Sequence, residues 1–224
     1  MKEDYTHISI ILDRTGSMQD IRDDTIGGFN AFLKEQQSQP GVATLTLVQF
    51  DTQDPYEVIH RFKPISEVPE LTHHTYVPRA STPLLDAIGR GINDLEKCLA
   101  DLEESKRPSK VVLAIITDGQ ENSSREFKKE QIAKMIQQKQ EQNQWQFVFL
   151  SADLASIDDA GEYGIQAKSS MSYDRSARGV ASGWGSMSSN VSRLRSTKHL
   201  KDMEFTEEDR AKQQSEQERT KQNK

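Results

Sequence analysis

The sequence predicts an α/β fold, with a mostly parallel central sheet, one antiparallel edge strand and helices on both faces. Three observations predict it. The apolar runs "ISIIL", "VATLTLVQF", "VVLAII" and "WQFVFL" are short and rich in β-branched or aromatic residues, which suits buried strands. Segments with helical periodicity separate most of these runs, and a strand, helix, strand rhythm builds parallel pairs joined by crossovers. One connection, "DTQDP" from Asp51 to Pro55, is too short for a crossover, so the strand after it returns antiparallel and lies at an edge.

Along the chain, Tyr5 to Leu12 is a strand ending at Asp13. Met18 to Gln37 places Ile21, Ile26, Phe29, Phe32 and Leu33 mostly on one helical face, with acids near the start, where the helix dipole favours them. Gly27-Gly28 weakens this helix by about 1 kcal/mol per glycine relative to alanine, which points to a bend or a close approach to the sheet. Val42 to Phe50 is apolar on both faces, as an interior strand requires, and Tyr56 to Phe62 is the edge strand. Lys63 to Ala80 carries three prolines and no period, and reads as an ordered surface loop.

"STPLLDAIGRGINDLEKCLADLEE" is the clearest helix, with Thr82 as N-cap, Pro83 at the first helical position, and Leu84, Leu85, Ile88, Ile92, Leu95, Leu99 and Leu102 on one stripe. Lys110 to Thr117 is a buried strand before Asp118. A helix over about Phe127 to Gln142 follows, and "WQFVFLSAD" is a strand ending at Asp153. Ala177, Val180, Trp184, Met187, Val191 and Leu194 recur at spacings of three and four, as in a last helix packed on the sheet. Residues 1–198 thus form one domain. Residues 199–224 form a polar, charged tail, and after Phe205 it is polar on every face, either a solvated helix or disordered, with no core to join.

Composition narrows the function. The 224 residues carry a formal charge of −6, which argues against non-specific nucleic-acid binding and favours cations over polyanions as ligands. No apolar run approaches the roughly 20 residues of a membrane span, and the N-terminus does not resemble a signal peptide, so a soluble, cytoplasmic protein is expected. The single cysteine, Cys98, lies in register with Leu95, Leu99 and Leu102 and reads as a packing residue.

The chemistry concentrates in "DRTGS" after the first strand, "STP" at the start of the long helix, and "TDG" after the later strand. An aspartate closing a buried strand either accepts a phosphoryl group or holds a divalent cation beside neighbouring hydroxyls. Hard cations such as Mg²⁺ take about six oxygen ligands and keep several waters, so hydroxyls and carboxylates on separate loops suit them. Asp13, Thr15 and Ser17 alternate along one short loop; Thr82 and Asp118 approach the same sheet edge from two others.

These residues resemble the von Willebrand factor A domains, whose metal-ion-dependent adhesion site has the pattern D-x-S-x-S, then T, then D. The match is Asp13, Thr15, Ser17, Thr82 and Asp118, with "STPLLDA" and "IITDGQEN" extending it. Thr15 stands where the family usually has serine, and its hydroxyl fills the same ligand role. The resemblance covers about Tyr5 to Leu194, and the type implied is the bacterial or phage intracellular one. It implies a Rossmann-like, doubly wound domain holding Mg²⁺, or Mn²⁺ or Ca²⁺, through the hydroxyls of Thr15, Ser17 and Thr82 and, directly or through water, through Asp13 and Asp118. It also implies a protein partner whose Glu or Asp carboxylate completes the coordination, in some relatives within a larger ATPase-driven assembly. The chain is then an interaction module with no enzymatic activity, nucleic-acid partner or membrane partner.

An enzymatic alternative arises because "LDRTGS" also resembles the D-K-T-G-T loop of P-type ATPases and their haloacid-dehalogenase relatives, in which Asp13 would be the phosphoryl-accepting nucleophile. No second aspartate stands at position 15 to serve as acid/base, and that family leaves "STPLLDA" unexplained. Singly, Asp13, Ser17 and Thr82 also suit capping, and only their combination favours a site. His73-His74 lacks partners at ligand spacing, and "GRG" at 89–91 lies within a helix. Asp23, Asp24 and Asp51 read as solvated surface acids.

Overall fold

The computed structural model describes residues 2–197 and 203–222, and the expected start of the tail at 199 lies outside them. Six strands form one sheet: β1 (Lys2–Asp13), β2 (Val42–Phe50), β3 (Glu57–Pro64), β4 (Pro108–Thr117), β5 (Gln146–Ser151) and β6 (Ser170–Ser172). Their order is β3-β2-β1-β4-β5-β6, parallel throughout except for β3, which pairs antiparallel with β2 at one edge. The mostly parallel sheet with a single antiparallel edge strand is thus the one expected from the sequence.

The period-2 alternation of strands divides the interior into two cores. Ile8, Ile10 and Leu12 of β1, Val112, Ala114 and Ile116 of β4, and Val148 and Leu150 of β5 face one side. There they meet Phe29, Phe32 and Leu33 of α1 (Arg22–Ser38) and Val180, Trp184, Met187 and Val191 of α5 (Ala177–Ser196). Ile11, Val111, Leu113, Ile115, Phe147 and Phe149 face the other. They are covered by Leu84, Leu85, Ile88 and Ile92 of α2 (Leu84–Asp101), Ile132 and Ile136 of α3 (Lys129–Asn143), and Ala160 of α4 (Leu154–Glu162). Apolar residues on both faces of β1, β4 and β5 are therefore a direct consequence of helices on both sides.

Several elements differ from the sequence reading. The first helix is entered through a 3-10 turn, Gly16–Ile21, before α1 proper. Gly28 does permit a close approach, but to α5 rather than to the sheet: a Cβ there would lie 2.1 Å from Trp184 Cδ1. Strand β5 stops at Ser151, two residues short of Asp153, and α2 starts at Leu84, one residue after Pro83. The chain after Thr197 is not wholly solvated. Met203 and Phe205 join the core that α1 and α5 cover, and α6 (Glu207–Gln222) docks on α5 through polar groups. The buried amide of Gln213 donates to the Gly179 carbonyl (3.0 Å) and accepts from the Asp174 N–H (3.0 Å), while the Ser186 hydroxyl donates to Asp209 Oδ1 (2.6 Å).

Strand β1 has parallel neighbours on both sides, so the chain leaves its carboxyl end toward β2 and, later, leaves that of β4 toward β5. Such a reversal opens a crevice beyond the carboxyl ends of the strands, where α/β folds bind ligands. Asp13 closes β1 and Asp118 follows β4 at this place.

Candidate metal site

At the crevice the five side chains singled out in the sequence join one hydrogen-bonded cluster. Asp13 is fully buried; its Oδ1 accepts the Thr15 N–H (2.7 Å) and its Oδ2 accepts the Thr117 hydroxyl (2.6 Å). Thr15 Oγ1 lies 3.2 Å from Ser17 Oγ and accepts from the Thr82 hydroxyl at 3.3 Å. The Ser17 hydroxyl donates to Asp118 Oδ1 at 2.6 Å. The loop that carries Asp13, Thr15 and Ser17 is pinned where the Gly16 N–H meets the Ala80 carbonyl at 3.0 Å, and the Tyr76 hydroxyl donates to the Asp13 carbonyl at 2.6 Å.

Burial sets the electrostatics. It pushes the Asp13 carboxyl up to about 7, against the hydrogen bonds from Thr117 and Thr15, and nearby Asp118 pushes the same way. Asp118 is also raised by burial, opposed by its hydrogen bond from Ser17 and by Arg175. Two carboxylates whose charge is disfavoured by low dielectric, set among hydroxyl oxygens, form an all-oxygen donor set of the kind hard divalent cations take. Among the described residues there is no group of three or more His, Cys, Asp or Glu side chains that could hold an ion. The residues present fit Mg²⁺, Mn²⁺ or Ca²⁺.

Thr82 reaches the cluster by a different route from the one its sequence position suggests. It does not cap α2. Pro83 occupies the N-cap position, first-turn N–H groups of α2 are met by the side chains of Glu121 and Ser124, and the Thr82 hydroxyl is turned toward Thr15. Its backbone is held instead by Asn122, whose Oδ1 accepts the Thr82 N–H (3.0 Å) and whose N–H donates to the Thr82 carbonyl (3.2 Å). Beside it, Glu121 accepts the Leu85 N–H (2.9 Å), and Asp86 accepts the N–H groups of Arg125, Glu126 and Phe127, each at 2.9 Å. Sequence reasoning missed these supports, although acid and amide groups directly after "TDG" were the available signal.

Two further charged residues were misread or missed. Asp51 is a fully buried acid, not a solvated one: its Oδ2 accepts from Arg14 Nε and Arg79 Nε, both at 2.9 Å, and its Oδ1 from the N–H groups of Gln53 and Asp54. Arg175, just before α5, places Nη1 2.8 Å from Asp118 Oδ2 and donates from Nη2 to the Ser17 carbonyl at 2.8 Å. No local pattern marks it. His73 and His74 are exposed and take no part in the cluster, and Cys98 is half-buried in α2.

No protein-family profile and no curated protein sequence matches the chain. Solved structures do. A von Willebrand factor type A structure from Catenulispora acidiphila aligns with TM-score 0.54 at 11% identity, over 83% of this chain and 42% of that one. The chain has a von Willebrand factor A fold. Proximal thread matrix protein 1 from the mussel byssus, with a zinc-occupied MIDAS motif, aligns with TM-score 0.55 at 13% identity over 85% of this chain and 45% of that one. The manganese-loaded TRAP protein of Plasmodium vivax aligns with TM-score 0.52 at 14% identity over 78% of this chain and 70% of that one. The chain spans less than half the length of the mussel and Catenulispora proteins. At these identities the A-type likeness is one of fold, and no helix among the described residues is long and apolar enough to cross a membrane.

Proposed function

We propose that this A-type domain is a divalent-metal-dependent protein-interaction module, in which Asp13, Thr15, Ser17, Thr82 and Asp118 hold Mg²⁺, or Mn²⁺ or Ca²⁺, for an acidic side chain of a partner. The observation that carries the reading is the convergence of five oxygen-bearing side chains from three separate loops into one hydrogen-bonded cluster. The zinc-occupied MIDAS motif of the mussel protein and the manganese-loaded TRAP protein, both of similar fold, support a divalent cation as the ligand.

When bound, the ion supplies positive charge and an open coordination position for an anionic oxygen. The chain's own residues do the rest. Thr15, Ser17 and Thr82 contribute neutral oxygens, so only Asp13 and Asp118 offset the ion's charge. Thr117 and the Thr15 N–H fix the orientation of the Asp13 carboxylate, and Asn122 fixes Thr82. The burial of Asp13 and the engagement of both its carboxylate oxygens favour a supporting role over nucleophilic attack, and hence binding over phosphoryl transfer. We place the module in the cytoplasm.

Calorimetric titration with Mg²⁺ or Mn²⁺ should show binding that Asp13→Ala weakens at least tenfold, in line with the cost of lost ligands and their supports. Unchanged binding in the variant removes the site. Pull-down from source lysate, with and without a chelator, then tests the partner: a protein retained by the parent with the ion, and lost with the chelator or with Thr82→Ala, is the expected result. Retention indifferent to both refutes metal-dependent recognition.

A further inference from the structure

Among the described residues, Arg175 is the one side chain in contact with the cluster that carries a fixed positive charge, and it contacts the same carboxylate that the proposed ion would use. Its guanidinium spans Asp118 Oδ2 (2.8 Å) and the Ser17 carbonyl (2.8 Å), with Asp20 Oδ2 at 3.7 Å. Asp118 Oδ1 is taken by the Ser17 hydroxyl, so both oxygens of this carboxylate are engaged. The Asp118 side chain is fully buried while that of Arg175 is 40% exposed, so the arginine reaches inward from the rim. Its place in the chain is firmly set. Ser176 caps α5, accepting from the Gly179 N–H at 3.2 Å, and Asp174 Oδ1 accepts both the Ser176 N–H and the hydroxyl of Thr220 on α6, each at 2.9 Å. A Cβ on Gly179 would lie 2.2 Å from the Asp174 carbonyl, so the connector lies tight against the first turn of the helix.

Resting on the metal-site reading above, we infer that Arg175 is a specificity-determining residue, an internal cation that shares Asp118 with the divalent ion and sets both the affinity for that ion and the charge left for a ligand. The charge count makes the argument. Asp13 and Asp118 together carry two negative charges, equal in number and opposite in sign to those of a divalent ion, leaving no surplus. Arg175 adds one positive charge at the edge of the same cluster, which Asp20, 3.7 Å away with its side chain 86% exposed, offsets only weakly through solvent. The surplus would repel the ion, the guanidinium would compete with it for the Asp118 carboxylate, and the loaded site would stay cationic, as suits an acidic ligand. A neutral side chain at this position removes the competition and the surplus together.

The test uses the full chain and the metal alone. Mn²⁺ affinity is measured by calorimetry and by electron paramagnetic resonance of the free ion, for the parent, Arg175→Gln and Arg175→Lys. Removing a cation that contacts a ligand should tighten Mn²⁺ binding in Arg175→Gln by about tenfold, within the range that groups beside a metal's ligands command, whereas Arg175→Lys, which keeps the charge, should stay within about threefold of the parent. Circular dichroism melts of each variant confirm that the comparison is between folded proteins. Equal or weaker Mn²⁺ binding in folded Arg175→Gln overturns the inference, as does tightening of the same size in Arg175→Lys. Asp13→Ala, run in parallel, separates this failure from that of the site: undiminished binding there would overturn the site itself and the inference with it.

Discussion

His7 offers a test of the core that is independent of any ligand. It sits on β1, fully buried, with Nδ1 2.8 Å from Thr44 Oγ1 and its ring stacked on Phe62 at 3.7 Å between centroids and 9° between planes. Burial pushes its pKa down from 6.5 to about 3. Below pH 6.5 the unfolded chain takes up a proton at this ring while the folded chain does not, so the contribution to stability is complete above 6.5 and is lost as pH falls toward 3. At about 1.4 kcal/mol per pH unit, the loss is about 2 kcal/mol at pH 5 and approaches about 5 kcal/mol near pH 3. Urea unfolding of the parent and His7→Leu at about pH 7.5 and about pH 5 isolates this contribution, because every other titrating group is common to both chains. The parent should lose about 2 kcal/mol more than the variant between the two conditions. Equal losses would refute the claim that His7 is buried in its neutral form.

The adjacent glycines of α1 should respond in opposite directions. Gly28→Ala, whose new methyl meets Trp184, should cost about 1–3 kcal/mol, whereas Gly27→Ala, with nothing within 4 Å, should gain about 1 kcal/mol in a urea titration; similar effects at both sites would refute the close packing of α1 on α5. Asp51→Asn keeps the shape but leaves the Arg14 guanidinium buried without its main counter-charge, and should destabilise the fold by about 3–5 kcal/mol; a change below about 1 kcal/mol would show that the pair is effectively solvated.

What could be read from the sequence follows from how local each signal is. Strands β1, β4 and β5 were legible because burial on both faces writes itself as unbroken runs such as "VVLAII". The short connection Asp51 to Pro55 likewise announced the antiparallel edge. Strand β6 is only "SMS", too short to show a period, and α4 went unread before it. The five candidate ligands stood out because each lies beside a strand or helix end, although their meeting depends on crossovers that no local pattern records. Asp51 and Arg175 were opaque for the same reason. An isolated acid or base looks like surface until its partners, far along the chain, bring it inward, and the polar docking of α6 through Gln213 is similarly invisible to hydrophobic periodicity.

Met203 and Phe205 bear on how a shorter version of this protein should be cut. Both are at most 5% exposed and belong to the core that α1 and α5 cover. Trimming at residue 199, where the sequence places the start of the polar tail, would strip two plugs from the floor of the sandwich and bare the greasy face they cover. A minimal fragment that keeps its core therefore runs at least through Phe205, one that also keeps the Gln213 and Thr220 contacts runs through α6, and the excision that looks harmless on paper is the one that invites clumping in the tube.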